Sequence, residues 1–237
     1  MNKLLIIITI LSISITGFAI NNQQEIKKLK ISNDISSYLN LQINDQKLAD
    51  KLTKKIIQDT LYWTPPTISI EKGDYIVAFS FGNRLDKNGN SIPGPMNEQI
   101  ADLVVKIYNK IKKPVYAQWE VAQSVGKRVP QEMITALYPK ITKDGKIIYL
   151  STSSVAKEFI KIVKKESISN KTIIALGFRE HEPRIYMTCK SLEINAYAPK
   201  GYSLPDQYDK ESGQPWTRSK YNFMIYDMAV RLNENFL

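Results

Sequence analysis

Thr172-Ile173-Ile174-Ala175-Leu176-Gly177-Phe178-Arg179-Glu180-His181-Glu182-Pro183-Arg184 is the stretch on which the reading of this chain turns. It begins with an apolar run rich in β-branched residues, closes that run with a glycine, and passes through a polar cluster. The pattern predicts a strand over Thr172–Leu176 feeding a helix over Pro183–Leu192. Pro183 suits a first helical turn, where its missing N–H would have had no partner. In α/β proteins the loop at the carboxyl end of a strand is where ligands bind. His181 is the only histidine of the chain. It lies three residues before Arg184, so the two share one face of a helical turn. The free N–H groups and dipole of a helix start favour anions. A titratable imidazole and a fixed guanidinium on that turn therefore point to an anion or phosphate site. The plainer alternative is a solvated helix start.

Outward from this stretch the same strand-then-helix rhythm recurs. Strands are predicted over Tyr75–Phe81, Pro114–Trp119, Lys146–Leu150 and Asn195–Ala198. Helices are predicted over Asn97–Ile111, Ser153–Lys165 and Ser219–Asn233. Glu120 to Leu137 reads as helix in pieces, interrupted at Gly126 and Pro130. An earlier helix begins after the N-cap Asp45, with Leu48, Leu52, Ile56 and Leu61 at near-helical spacing, and ends before Thr64-Pro65-Pro66. Asn21 to Asn33 is polar and charged and reads as a loose lead-in. Alternation of this kind implies βαβ units and a mostly parallel sheet. The expected architecture is an α/β three-layer Rossmann-like sandwich over residues 73–237. A lead-in and added helix over 20–72 precede it.

The first nineteen residues read differently. Lys3 supplies a positive start, Leu4 to Ile15 is nearly unbroken apolar sequence, and Gly17-Phe18-Ala19 offers small residues for cleavage after Ala19. This is the pattern of a secretory signal peptide. The run is shorter than the ~20 residues that span a bilayer, and an uncleaved membrane anchor is the alternative. No cysteine stands near the cut, which argues against a lipoprotein. Cys189 is the single cysteine, so no intrachain disulfide can form. Export without disulfides fits a bacterial periplasm or a low-cysteine secreted protein. The formal net charge of +10 would suggest nucleic acid in a cytosolic protein. In an exported one it points to anionic lipid at a membrane surface, cell-wall polymer or phosphorylated compounds, and not to nucleic acid. Much of the lysine is scattered in pairs such as Lys54-Lys55 and Lys164-Lys165, which reads as solvated helix faces.

Parallel strands gather their carboxyl ends on one rim. The residues expected there are Gly82, Asn83 and Arg84, then Gln118, Trp119 and Glu120, then Ser151 to Ser154, then His181 and Arg184. Gly82 would let backbone approach a ligand, and Arg84 and Arg184 could each hold a phosphate through two N–H groups. His181 and Glu120 are the candidate acid/base pair, Glu120 with a pKa raised if its aromatic neighbour keeps water away. Asn83, Ser151 and Thr152 complete the candidate binding set, though Ser151 to Ser154 would serve equally as a helix cap. Trp216 and Arg218 precede the last helix and could close over the rim, or simply anchor the loop. One histidine and one cysteine exclude a His-rich zinc site, His181-Glu182 lacks the second histidine of a zincin, and no metal ligand set is expected. Neither a Gly-x-Ser-x-Gly elbow nor a Walker A or Gly-x-Gly-x-x-Gly loop occurs, and the sequence names no cofactor.

The layout resembles the YdcF-like family of bacterial envelope proteins, which includes SanA and ElyC. The resemblance runs from about Tyr75 to Leu232. It rests on a first strand ending in glycine (Ile76-Val77-Ala78-Phe79-Ser80-Phe81-Gly82), a Ser/Thr-rich turn before a helix (Ser151-Thr152-Ser153-Ser154), and a strand leading into His-x-x-Arg (His181-Glu182-Pro183-Arg184). It implies a Rossmann-like fold and a place in envelope maintenance, while leaving the reaction open. This chain departs from the family pattern where Gly82-Asn83-Arg84 replaces a Gly-rich turn and Met96-Asn97-Glu98 opens the next helix. It departs again where Gln118-Trp119-Glu120 replaces small glycines. The expectation is an exported protein that binds, or also processes, an anionic, phosphorylated envelope compound. A non-catalytic binding or scaffold protein using the same pocket is the alternative.

Overall fold

Side chains alternate between two cores along the central strands, and that alternation builds the layers. The computed structural model describes residues 25–57, 63–144, 147–148, 150–164 and 170–234. The expected signal sequence and its cut after Ala19 lie outside the described residues, as do Leu61, Lys146 and Lys165. The chain divides into two compact units, 1–63 and 64–237, ahead of the boundary expected at residue 72.

In the first unit a helix, α1, covers 25–43, where a loose lead-in was expected up to Asn33. The reason is propensity: Gln, Glu, Lys and Leu are polar or long, but all are good helix formers. The second helix, α2 (Gln46–Ile56), begins as expected, with Asp45 Oδ1 accepting from Leu48 N at 2.9 Å. Gln46 Nε2 donates to both Ser36 Oγ and Asp50 Oδ1, which ties α2 to α1.

The second unit carries a six-stranded parallel sheet. In chain order its strands are β1 (Thr67–Ile68), β2 (Tyr75–Ala78), β5 (Val115–Gln118), β6 (Ile134–Leu137), β9 (Thr172–Leu176) and β10 (Asn195–Pro199). Their spatial order is β1-β10-β9-β2-β5-β6, and every pairing is parallel. Two hairpins stand off this sheet, β3–β4 (Arg84–Leu85, Ser91–Ile92) and β7–β8 (Lys140–Ile141, Ile147–Ile148). Ile76, Ala78, Ile174 and Leu176 face one core with α3 (Pro95–Ile111) and α4 (Trp119–Val125). Val77, Ile173 and Ala175 face the other with α5 (Thr152–Val163) and α6 (Glu182–Ser191). This is a three-layer Rossmann-like sandwich, and α7 (Lys220–Glu234) closes the chain.

Two expectations are corrected. Ile134–Leu137 is a sheet strand and not the end of a helix, because Gly126 and Pro130 stop α4 and Ile134-Thr135 supplies β-branched residues beside β5. Of the strand predicted over 146–150, the described residues Ile147–Ile148 pair with Lys140–Ile141 and not with the central sheet. Ser151 to Ser154 therefore open a helix that a hairpin, not a sheet strand, delivers to the rim.

Candidate functional site

From β2 the sheet is wound in opposite directions, through β5 and β6 on one side and through β9 and β10 on the other. The crevice beyond the carboxyl ends of β2 and β9 is the switch point at which doubly wound sheets place ligands. A cavity of about 290 Å³ lies there. Gly82 after β2, Ser151 and Thr152 at the start of α5, and His181 and Arg184 after β9 all line it. The sequence placed these five together, and the fold does too.

Local structure fixes each wall. Gly82 has φ +64, and a Cβ there would stand 2.6 Å from Met96 Cε, 2.7 Å from Thr217 Oγ1 and 2.8 Å from Ser212 Oγ. Only glycine takes that backbone region and that space without strain. The turn is held by Asn97, fully buried in the first turn of α3. Its Oδ1 accepts from Phe81 N at 2.9 Å and its Nδ2 donates to the Gly82 carbonyl at 2.9 Å. Gln118 at the end of β5 accepts from Ser80 N at 3.1 Å and donates to the Leu150 carbonyl at 3.4 Å. Ser151 caps α5, its Oγ accepting from Ser154 N at 3.2 Å.

His181 ends the 3-10 turn Arg179–His181. Its Nε2 lies 3.0 Å from Thr152 Oγ1, which joins the two loops across the cavity. Nδ1 is buried with no hydrogen-bond partner. Phe81 and Phe223 pack against the ring. Burial, and after it the Arg184 guanidinium, hold the imidazole well below its ordinary range. The expected imidazolium is thus a neutral imidazole at neutral pH, a proton acceptor or a hydrogen-bond partner instead of an anion-holding cation. Among the described residues Arg184 is the only charged one lining this cavity, and no carboxylate lines it. Its Nε lies 3.3 Å from Asp227 Oδ1, and Arg231 Nε reaches the other oxygen of Asp227 at 2.7 Å. The Arg184 guanidinium also lies over the rings of Phe223 and Tyr226.

The other sequence candidates sit elsewhere. Arg84 lines no described cavity: Asp209 grips its Nε at 2.8 Å and its Nη2 at 3.0 Å, and Glu211 adds a contact at 2.9 Å. It fastens the 209–211 loop, so a phosphate-holding Arg84 is not supported. Asn83 and Glu120 line a second cavity of about 570 Å³, not the one that holds His181. The two cavities adjoin along Gln118, Leu150 and Gln214, which line both. Burial pushes the Glu120 carboxyl up to about 7. Of the expected closing pair, Trp216 lines the first cavity and stacks on Tyr226, whereas Arg218 donates to the Ser212 carbonyl at 2.7 Å. Asn97, the Phe81–Phe178 stack at 4.1 Å and Asp227 escaped the sequence reading. Phe223, Asp227 and Arg231 recur at helical spacing on α7, which was the available signal for that wall.

Among the described residues no group of His, Cys, Asp and Glu side chains is placed to hold a metal ion, and no helix is long and apolar enough to cross a membrane. No family model, curated protein or solved structure matches the chain.

Proposed function

We propose that this is an exported cell-envelope protein, a divergent member of the YdcF-like group, whose switch-point cavity binds an anionic, phosphorylated compound and processes it. The observation that carries the reading is the make-up of that cavity. Among the described residues Arg184 is its one charged lining residue, the Asp227 carboxylate that pairs with it stands outside the lining and is shared with Arg231, and the hydroxyls of Ser151, Thr152 and Ser153 stand at the start of α5. A guanidinium beside a helix N-terminus binds phosphate by directional N–H donation as well as by charge. His181, neutral and with Nδ1 unpartnered, is suited to take a proton from an attacking water or hydroxyl.

Thermal-shift and calorimetric titration of the purified protein with inorganic phosphate, sugar phosphates, nucleotides and lipid phosphates tests the reading. Phosphate compounds should bind the wild type, and Arg184→Gln should weaken all of them. With a turned-over compound in hand, His181→Ala should abolish turnover and keep binding. Retained turnover in His181→Ala would take His181 out of the chemistry, and binding without turnover in the wild type would leave binding as the activity of the cavity.

A further inference from the structure

The second cavity differs from the first in what it lacks. Among the described residues no lysine or arginine lines it, and Glu120 is its one ionisable residue. Amides from Asn83, Asn90 and Gln214, the Ser91 hydroxyl and the Trp119 indole make up much of its lining. Several of the N–H donors are already committed. Asn83 Nδ2 donates to Ser91 Oγ at 2.8 Å and to the Arg84 carbonyl at 3.3 Å, and Asn90 Nδ2 donates to Asp86. Gln118 Nε2, in the shared wall, donates to Leu150.

Oxygens are left over. Asn83 Oδ1 and Glu120 Oε2 are both buried without a hydrogen-bond partner, on side chains more than nine-tenths buried. An unpartnered buried oxygen costs about 1–3 kcal/mol, so a cavity that keeps two of them is short of a donor. Inorganic phosphate offers little to such a site, being chiefly an acceptor. A hydroxyl supplies the missing donor, several hydroxyls on one ring supply several, and an indole face covers the ring's C–H side. Burial pushes the Glu120 carboxyl up to about 7, which weakens it as a counter-ion for an ammonium group and favours hydroxyls over amines.

We propose that the second cavity is the subsite for a polyhydroxylated ring, and that the compound bound across the two cavities is a sugar phosphate. Its phosphate lies against Arg184 and the start of α5, and its ring lies against Asn83, Glu120 and Trp119. Gln118, Leu150 and Gln214 line both cavities, and the phosphoester link lies beside them. This rests on the reading of the first cavity as an anion site, and it narrows the ligand from any phosphate compound to one with a glycosyl or polyol end.

Calorimetric titration with inorganic phosphate, a hexose 1-phosphate and the free hexose tests it on the wild type, Glu120→Leu and Trp119→Ala. Glu120→Leu removes a carboxyl that has a partnerless oxygen, so the fold should tolerate it, and Trp119→Ala probes the ring face separately. The wild type should hold the hexose phosphate at least about tenfold more tightly than phosphate, the worth of one or two added hydrogen bonds to a buried acceptor. Both variants should lose most of that advantage and bind inorganic phosphate as before. Equal affinity for phosphate and hexose phosphate in the wild type would overturn the sugar subsite while leaving the anion site standing. Binding of the free hexose but not of phosphate, lost in the two variants, would overturn the anion site and leave the second cavity a plain sugar site. Binding of none of the three would overturn both.

Discussion

Arg84 and Arg184 have the same side chain and were equal candidates for holding an anion, yet the fold spends them in opposite ways. Arg84 meets two carboxylates, Asp209 through paired contacts and Glu211 through one. Arg184 meets a single carboxylate, Asp227, which it must share with Arg231. The Arg84 side chain is 38% exposed and the Arg184 side chain 14%. The first arginine is therefore a clasp on the surface, and the second keeps unspent N–H capacity facing a cavity without acids. What separates an arginine held by its partners from one with N–H groups to spare is the number of acids per guanidinium, which residue type does not record.

Breaking the two clusters should separate them most. Asp227 is 1% exposed, so Asp227→Ala leaves Arg184 and Arg231 without the carboxylate they share, in a poorly hydrated site. Removing one partner of a buried ion pair costs about 3–5 kcal/mol, and the urea midpoint should fall accordingly. Asp209→Ala should move that midpoint far less, since Arg84 can turn to water and to Glu211. Equal losses would mean that burial does not distinguish the clusters.

A buried acid with no cation beside it extends the contrast. Glu182 is 1% exposed, its Oε1 lacks a hydrogen-bond partner, and burial pushes its carboxyl up to about 8. Unfolded, it titrates near ~4.3. Between those values the unfolded chain has released a proton that the folded protein keeps, so the contribution is intact at low pH and is lost as pH rises toward 8. The decline should be on the order of 3 kcal/mol once the buried site relaxes. Glu120 acts in the same sense up to about 7. His181 acts oppositely: its folded pKa is depressed, so it destabilises the fold as pH falls below ~6.5. Urea unfolding of Glu182→Gln from pH 5 to 8 should show a shallower decline than wild type. An unchanged slope would mean that Glu182 finds water or a partner.

The legible part of this molecule was the part written in local pattern. Thr172–Leu176 lies where its β-branched run predicts, and the apolar stripe of Ile100, Leu103, Val104 and Ile107 faces the core. From those two signals the rim and its gathering of Gly82, Ser151, Thr152, His181 and Arg184 follow. Pairing between distant segments was not legible. Ile134–Leu137 is a strand because β5 lies beside it, and Ile147–Ile148 is not in the sheet because Lys140–Ile141 takes it first. Charge partners were hidden for the same reason: Arg84 and Asp209 stand 125 residues apart. The first helix was read as a lead-in up to Asn33 for another cause, since a stretch dominated by polar and charged helix formers resembles a linker in composition.

Affinity sharpens the two arginines more gently than stability does. Arg184→Gln should weaken phosphate binding by the worth of a charge-assisted contact, about 1.5–3 kcal/mol or tenfold and more. Arg84→Gln should leave it unchanged in the same calorimetric titration. An equal loss in Arg84→Gln would bring that arginine back into the site.

The smallest expected effect is an absence of pH dependence, and it bears on which cation does the holding. If His181 held the anion as an imidazolium, binding would fade as pH climbed through the histidine pKa, near ~6.5 in an unperturbed side chain. Burial and the adjacent Arg184 instead keep the ring neutral far below that point, and a guanidinium does not titrate in the range at all. Sulfate is the informative probe, because it carries both charges throughout, whereas phosphate gains its second near neutrality and would mask the protein's own titration. Sulfate affinity should thus stay level from pH 8 to pH 6. Anion binding favours the protonated ring, so affinity should climb only at the lower pH where His181 begins to take up a proton, and His181→Ala should remove that climb. A wild-type affinity that already doubles or triples between pH 8 and 6, and does so no longer in His181→Ala, would place an imidazolium beside Arg184 and undo the assignment of His181 as a neutral base.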